Sequence, residues 1–116
     1  MRVLLFLGLT LMSACSCRGG HSFVLVIPGD AEPESAWITI GTTEYPMICS
    51  YIESFEEVHC DAPLETDDTP IEDVTSIGFV DNGERIDVSL DSAEYEGGGE
   101  CNRGGWYFFR YTADGA

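Results

Sequence analysis

Hydrophobic and polar residues alternate along most of the chain after its first twenty or so positions, a pattern that is typical of β-strands. Residues 23–27 are a continuous run of β-branched and aromatic side chains that ends at Pro28, which predicts a buried strand. Residues 36–41 alternate strictly and predict a second strand. The apolar residues on one of its faces are Ala36, Ile38 and Ile40.

The dipeptide Asn82-Gly83 predicts the tight turn of a β-hairpin, because a two-residue turn of this type needs positive φ angles at both positions. Counting outward from the turn pairs Val80 with Arg85, Phe79 with Ile86, Ile77 with Val88, and Thr75 with Leu90. This register places the large apolar side chains of both strands on one face, so the turn and the hydrophobic pattern agree.

Residues 45–60 have two interpretations. With a period of two, Cys49 and Cys60 lie on two strands of a hairpin and form a disulfide across it. With a period of 3.6, the apolar residues form a stripe on a short helix near residues 46–58, with Pro46 at its start. The strand-like character of the rest of the chain favours the hairpin.

Polar, proline-rich or glycine-rich segments separate these strands. Residues 61–73 and 91–105 are predicted to be loops, and residues 106–112 to be a last aromatic strand. The predicted fold is all-β: a small, disulfide-stapled β-sandwich of six to seven short strands over residues 23–112, with residues 113–116 as a tail.

The order of these features resembles a known family of sandwich domains. A strand, a proline-containing loop, the segment Ala36-Trp37-Ile38-Thr39-Ile40, paired cysteines and a strand leading to a glycine turn are similar to the carboxypeptidase regulatory-like, transthyretin-type domains of bacterial lipoproteins. The resemblance implies a non-catalytic binding or structural module. An immunoglobulin-like sandwich is the alternative architecture.

The first fifteen residues have the layout of an export signal: Arg2, an apolar run over residues 3–11, and small residues at a cleavage point. Met12-Ser13-Ala14-Cys15 resembles a bacterial lipobox, which implies a signal peptide over residues 1–14 and a lipidated tether over residues 15–22. The apolar run is shorter than the roughly 20 residues that span a bilayer. An ordinary signal peptide cut near Ala14 is the alternative.

The lipobox resemblance also implies a location and a partner. The protein is expected in the cell envelope, attached to a membrane by its lipid, with palmitate among the acyl chains. In lipoproteins of this kind an Asp after the lipidated cysteine retains the protein in the inner membrane, and Ser16 stands there instead. We therefore expect the outer membrane, with an envelope protein or a glycan as the binding partner.

The five cysteines fit this interpretation. An odd number is unusual in an exported protein, and assigning Cys15 to the lipid leaves four that can pair. Three pairings are possible, and we favour Cys49–Cys60 together with Cys17–Cys101. The first closes a short loop, and the second ties the start of the domain to its last third.

The charge excludes one class of function. The chain carries 21 acidic residues against five basic ones, has no lysine, and has a formal net charge of −16. Such a field repels nucleic acid, so no nucleic-acid binding is expected.

No catalytic arrangement is recognisable, so no enzymatic activity is predicted. Two other kinds of site remain as hypotheses. The first is a Ca²⁺ site formed by carboxylates of a short acidic stretch, which would make the chain an acidic cation-binding surface protein. This stretch is not an EF-hand loop. Its candidate ligands are Asp61, Glu65, Asp67 and Asp68. An aromatic platform for a sugar or a peptide is the second hypothesis, although strand aromatics are more often core residues; its candidates are Trp37, Trp106, Tyr107 and Tyr111.

Overall fold

The fold is all-β. The structure is a computed structural model that describes residues 21–97 and 105–113. Eight strands lie within these residues: β1 (Ser22–Pro28), β2 (Ser35–Ile40), β3 (Thr43–Ile52), β4 (Glu57–Asp61), β5 (Val74–Asp81), β6 (Glu84–Asp87), β7 (Glu94–Gly97) and β8 (Gly105–Arg110). Three single 3₁₀ turns connect them, at Leu64–Thr66, Ile71–Asp73 and Leu90–Ser92. The described residues contain no helix long and apolar enough to cross a membrane.

The strands form one curled sheet in the order β6-β5-β2-β3-β4-β1-β8-β7. The first half of β3 pairs with β2 and its second half pairs with β4, so this ten-residue strand belongs to both halves of the sheet. All neighbouring pairs are antiparallel except β1 and β8, which run parallel. β1 therefore lies inside the sheet, between β4 and β8.

The core lies on the inner face of the curl, where the two halves of the sheet pack together. Phe23, Leu25 and Phe109 are fully buried on one half, and Ile38 and Ile77 are buried on the other. The ring of Tyr111, just after β8, packs edge-on against Phe79 of β5 at 5.0 Å and so joins the halves. Strand alternation produces this core, because every second residue of each strand faces inward.

The predicted hairpin is confirmed next to its turn and ends earlier than expected. Asn82 and Gly83 have φ angles of 52° and 78°, and the ladder pairs Val80 with Arg85 and Phe79 with Ile86. The amide of Val88 still donates to the carbonyl oxygen of Ile77 at 2.9 Å. The chain then leaves the strand, so the predicted pairing of Thr75 with Leu90 is wrong. The Leu90–Ser92 turn takes its place, closed by the Ser89 hydroxyl, which accepts from the Asp91 amide.

Residues 45–60 form strands, as the period of two indicated. Cys49 and Cys60 are directly opposite on β3 and β4, with Cα atoms 3.8 Å apart, and form the predicted disulfide. The short helix considered for residues 46–58 is absent, because the residues on either side of a turn at 53–56 pair through their backbones with neighbouring strands. Two further expectations are corrected: the strands number eight, and residues 94–97 of the predicted loop form β7.

Candidate functional site

One surface of the sheet combines buried apolar residues with a charged and aromatic groove. It is the side of β3, β4, β1, β8 and β7 that faces away from the core, called the outer face below. Phe23, Leu25 and Ile27 of β1 point into the core, so Val24 and Val26 point to the outer face. These two valines are nevertheless only 4% and 0% exposed. Neighbouring side chains must therefore cover them.

The cross-strand register identifies the covering residues. Val26 lies between His59 of β4 and Arg110 of β8, and Val24 lies between Asp61 and Phe108. Each of these neighbours lies directly opposite a valine on the same face, about 5 Å away. Its longer side chain can therefore extend over the valine. The two valines thus form an apolar base for a polar surface.

Glu57 connects the charged groups of this surface. Its Oε1 atom lies 3.1 Å from Nε2 of His59, and its Oε2 accepts from the Arg110 guanidinium at 3.0 Å. Glu57 and His59 are two residues apart on β4 and share a face, and Arg110 reaches Glu57 across β1. Both oxygens of this carboxylate are therefore held by cationic or hydrogen-bonding groups.

Three aromatic rings follow one another across the same surface. Phe55 stacks on His59 with ring centres 5.9 Å apart and planes 20° apart, and His59 meets Phe108 at 6.3 Å. The turn between β3 and β4 places Phe55, because Glu56 adopts a left-handed conformation with φ 55° and returns the chain into β4. The side chain of Phe55 is 64% exposed, although it is large and apolar.

Together these residues line a groove of about 330 Å³. Phe55, His59 and Phe108 supply rings, Glu57 and Arg110 form an ion pair on one wall, and Glu94 and Glu96 of β7 supply carboxylates on the other. Alternation along β7 puts both of these glutamates on the outer face, opposite Phe108 and Trp106 respectively. The groove therefore combines apolar and anionic contacts, which suits an amphipathic ligand.

A serine on β3 also lies beside the groove histidine on the outer face. Ser50 lies directly opposite His59 on β3, yet the partner of the His59 Nε2 atom is Glu57, and the described residues include no hydrogen bond between Ser50 and His59. Comparison of the chain with protein-family models, curated proteins and solved structures finds no match.

The structure separates the four aromatic residues proposed from sequence as one platform. Trp37 is 3% exposed, and the Arg85 guanidinium lies over its indole, 3.7 Å from the centre of the Trp37 ring. Tyr107 points inward and stacks on Phe23, and Tyr111 packs against Phe79. Trp106 is the one residue of the four on the outer face, where it lies opposite Glu96 and is 45% exposed.

The four acidic residues proposed as Ca²⁺ ligands also do not converge. Asp61 lies on the outer face of β4, Glu65 lies in the Leu64–Thr66 turn, and Asp67 accepts a hydrogen bond from Ser22 at 3.4 Å. Asp68 follows with a left-handed φ of 72°. Within residues 21–97 and 105–113, no group of three or more His, Cys, Asp or Glu side chains is placed to hold a metal ion.

Cys15 and the predicted Cys17–Cys101 disulfide lie outside the described residues.

Sequence reasoning missed the groove residues because they come from the β3–β4 turn, β4, β7 and β8. One local signal was present: in Glu57-Val58-His59-Cys60 the two polar side chains alternate with two apolar ones, which puts Glu57 and His59 on one face. The position of Arg110 beside them follows from the parallel pairing of β1 with β8. That pairing leaves no local mark in the sequence.

Two carboxylates on β4 have pKa values shifted in opposite directions. The hydrogen bond from His59, together with the Arg110 guanidinium, lowers the pKa of Glu57, and partial burial opposes this effect. Loss of solvent raises the pKa of Asp61, which lies between Ile48 and Val24 in the sheet, and nearby His59 partly offsets this rise.

These shifts predict opposite effects of two neutral substitutions. A lowered folded-state pKa means that ionised Glu57 stabilises the fold above its unfolded pKa of about 4.3, and that this contribution is lost as the pH falls through the folded pKa. Glu57→Gln should therefore reduce the free energy of unfolding by about 1 kcal/mol at pH 7, and the difference should vanish in acid.

Asp61→Asn is the matched control on the same strand and face. The raised folded-state pKa of Asp61 means that its ionised form destabilises the fold at neutral pH, so this variant should be more stable than wild type there. Its advantage should fade as the pH falls below the folded pKa of Asp61. Urea unfolding of both variants between about pH 3 and pH 7 would measure this, and a shift of the same sign in both would contradict the assignment.

Proposed function

We propose that this chain is a lipid-anchored lipoprotein of a bacterial cell envelope whose β-sandwich is a non-catalytic binding module. The groove on the outer face is the binding surface in this proposal. The observation that supports it most is the combination of a 64% exposed Phe55 with one ion-paired carboxylate and two carboxylates that have no ion pair among the described residues, all around one groove of about 330 Å³. Large exposed apolar groups beside ordered polar groups are typical of binding sites.

The anchor part of the proposal rests on the residues before β1. Cys15 would carry the lipid, and β1 begins seven residues later at Ser22. Seven extended residues span at most about 25 Å, so the tether would hold the domain close to the membrane surface. His21 supports a short tether, because its ring packs against Phe23 and Tyr107 at 5.3 and 5.1 Å and so attaches the chain to the domain.

The site of action in the proposal is the outer membrane, since Ser16 is not an Asp retention signal. Two or three acyl chains make attachment effectively permanent, at about 0.8 kcal/mol for each buried CH₂ group. A module held in this way meets partners at the membrane surface, such as an envelope protein or a glycan.

The anchor is tested by the variant Cys15→Ala, expressed from the full-length gene in a bacterial host. Wild-type protein should fractionate with membranes, and its intact mass should equal residues 15–116 plus acyl groups. The variant should lose both the acyl mass and the membrane association. Cys17→Ala is the matched control two residues away, and it should keep the lipid. A wild-type chain that is soluble and unacylated would contradict the proposed anchor.

A further inference from the structure

The carboxylates that line the groove differ in whether a described residue forms an ion pair with them. Both oxygens of Glu57 are held by His59 and Arg110. On the opposite wall, Glu94 and Glu96 are exposed, and no residue that the structure describes forms an ion pair with either. Residues two apart on a strand are about 7 Å apart, so β7 presents two separate anionic positions along one side of the groove.

The rings beside these carboxylates suit the stem of a long cationic side chain. Phe108 lies directly across from Glu94, and Trp106 lies directly across from Glu96. Lysine and arginine pack their methylene groups on apolar surface while the charged end reaches a carboxylate or the face of a ring. Each glutamate of β7 therefore has an aromatic neighbour on β8. The two glutamate–aromatic pairs are two residues apart along the strands, which is the spacing of side chains on one face of a strand.

The backbone of β7 adds a third element. This strand is the last in the sheet order and pairs only with β8 among the strands described. All four of its residues are exposed. An edge strand of this kind can accept one more strand by backbone hydrogen bonds, with side-chain contacts alternating along it.

We propose that the groove binds an extended basic segment of a partner protein. The segment pairs with β7 and places successive Lys or Arg side chains, two residues apart, at Glu94 and Glu96. This inference rests on the proposed binding function and names the chemistry of its partner. The net charge of −16 favours the encounter, because it attracts a basic segment from a distance.

The test uses the full-length protein purified from membranes in a neutral detergent. The probe is a synthetic peptide of about ten residues that alternates lysine with threonine, and a peptide alternating glutamate with threonine is its control. Trp106 reports binding by fluorescence, because it is 45% exposed next to Glu96, whereas Trp37 is only 3% exposed. We expect the lysine peptide to bind and the glutamate peptide not to bind.

Two double variants distinguish binding at the groove from attraction to the overall negative charge of the protein. Glu94→Gln with Glu96→Gln should lower the affinity about tenfold, as the loss of two partly exposed ion pairs predicts. Glu84→Gln with Asp87→Asn makes the same change in charge on the opposite edge strand, β6, and should lower it less than about twofold. Affinity should also fall between about 0.01 M and about 1 M salt, where the screening length drops from about 30 Å to about 3 Å.

Three results would overturn the inference. The lysine peptide fails to bind at low salt, or both double variants weaken binding equally, or spermidine binds as tightly as the peptide with the same dependence on Glu94 and Glu96. The last result would mean that the groove recognises a small polyamine and that strand pairing plays no part. None of these results bears on the lipid anchor, which the mass of the Cys15→Ala variant tests independently.

Discussion

Replacing Gly78 with alanine is expected to destabilise the fold by about 3 kcal/mol, near the upper end for overpacking. Gly78 is buried in the middle of β5, where a Cβ atom would lie 2.2 Å from the backbone oxygen of Ile86 and 2.6 Å from the Trp37 ring. The first contact is with backbone, so no side-chain rotation relieves it. Either β6 must move away from β5 or the indole must leave its position.

The Trp37 ring shows why this position is so confined. Trp37 is directly opposite Gly78 in the sheet, and its Nε1 donates to the Ser76 hydroxyl at 3.0 Å. The Arg85 guanidinium covers its other side. The absence of a side chain at Gly78 thus creates the space that an aromatic residue on the neighbouring strand fills.

Gly97→Ala is the matched control, because Gly97 is also a strand glycine. Among the residues that the structure describes, its added Cβ would meet the Tyr95 ring alone, at an ordinary 3.8 Å. Substitutions at such exposed positions change stability by about 0.5 kcal/mol or less. Urea unfolding followed by tryptophan fluorescence would compare the two variants. Equal stability of Gly78→Ala and wild type would mean that Trp37 does not pack over this glycine.

Removing the Cys49–Cys60 disulfide is the second change with a large expected effect. The double variant Cys49→Ala with Cys60→Ala should lose about 3 kcal/mol of unfolding free energy, because the bridge closes a loop of about a dozen residues in the unfolded chain. Small domains commonly have only about 5–15 kcal/mol in total. Cys60 is also completely buried, so its truncation adds a packing loss to the entropic one.

Reducing agent provides the control for this prediction. Dithiothreitol breaks the Cys49–Cys60 bridge but leaves both side chains in place, so the loss of this bridge by reduction should cost less stability than the double substitution, which also truncates the buried Cys60. Any further loss when the double variant itself is reduced would measure the predicted Cys17–Cys101 bridge. A double variant as stable as the oxidised wild type would show that the β3–β4 ladder needs no covalent link.

Local features of the fold were readable from the sequence because their causes are local. Asn82-Gly83 determines a two-residue turn, and the turn determines which residues next to it face each other. The same reasoning predicted the Cys49–Cys60 disulfide, since alternation put Cys49 and Cys60 on strands of one hairpin. It failed further out, at Leu90, where the Ser89 hydroxyl closes a 3₁₀ turn that competes with the ladder.

The neighbours of β1 and the existence of β7 could not be predicted in this way. β1 and β8 are separated by most of the sequence, and their parallel pairing depends on how the whole sheet curls. β7 has four exposed residues and little apolar character, so it is held by its ladder with β8 rather than by its own pattern.

The sequence by itself determined the hairpin turn and the strongly acidic charge, and it favoured the all-β class and the Cys49–Cys60 disulfide, because each depends on residue type and short-range spacing. It also carries the lipobox resemblance, whose consequences are the proposals tested by Cys15→Ala. Only the tertiary structure decided that Phe55, Glu57, His59, Phe108 and Arg110 share one surface with the glutamates of β7. Strands distant in sequence supply these side chains, and only the order of strands in the folded sheet brings them together.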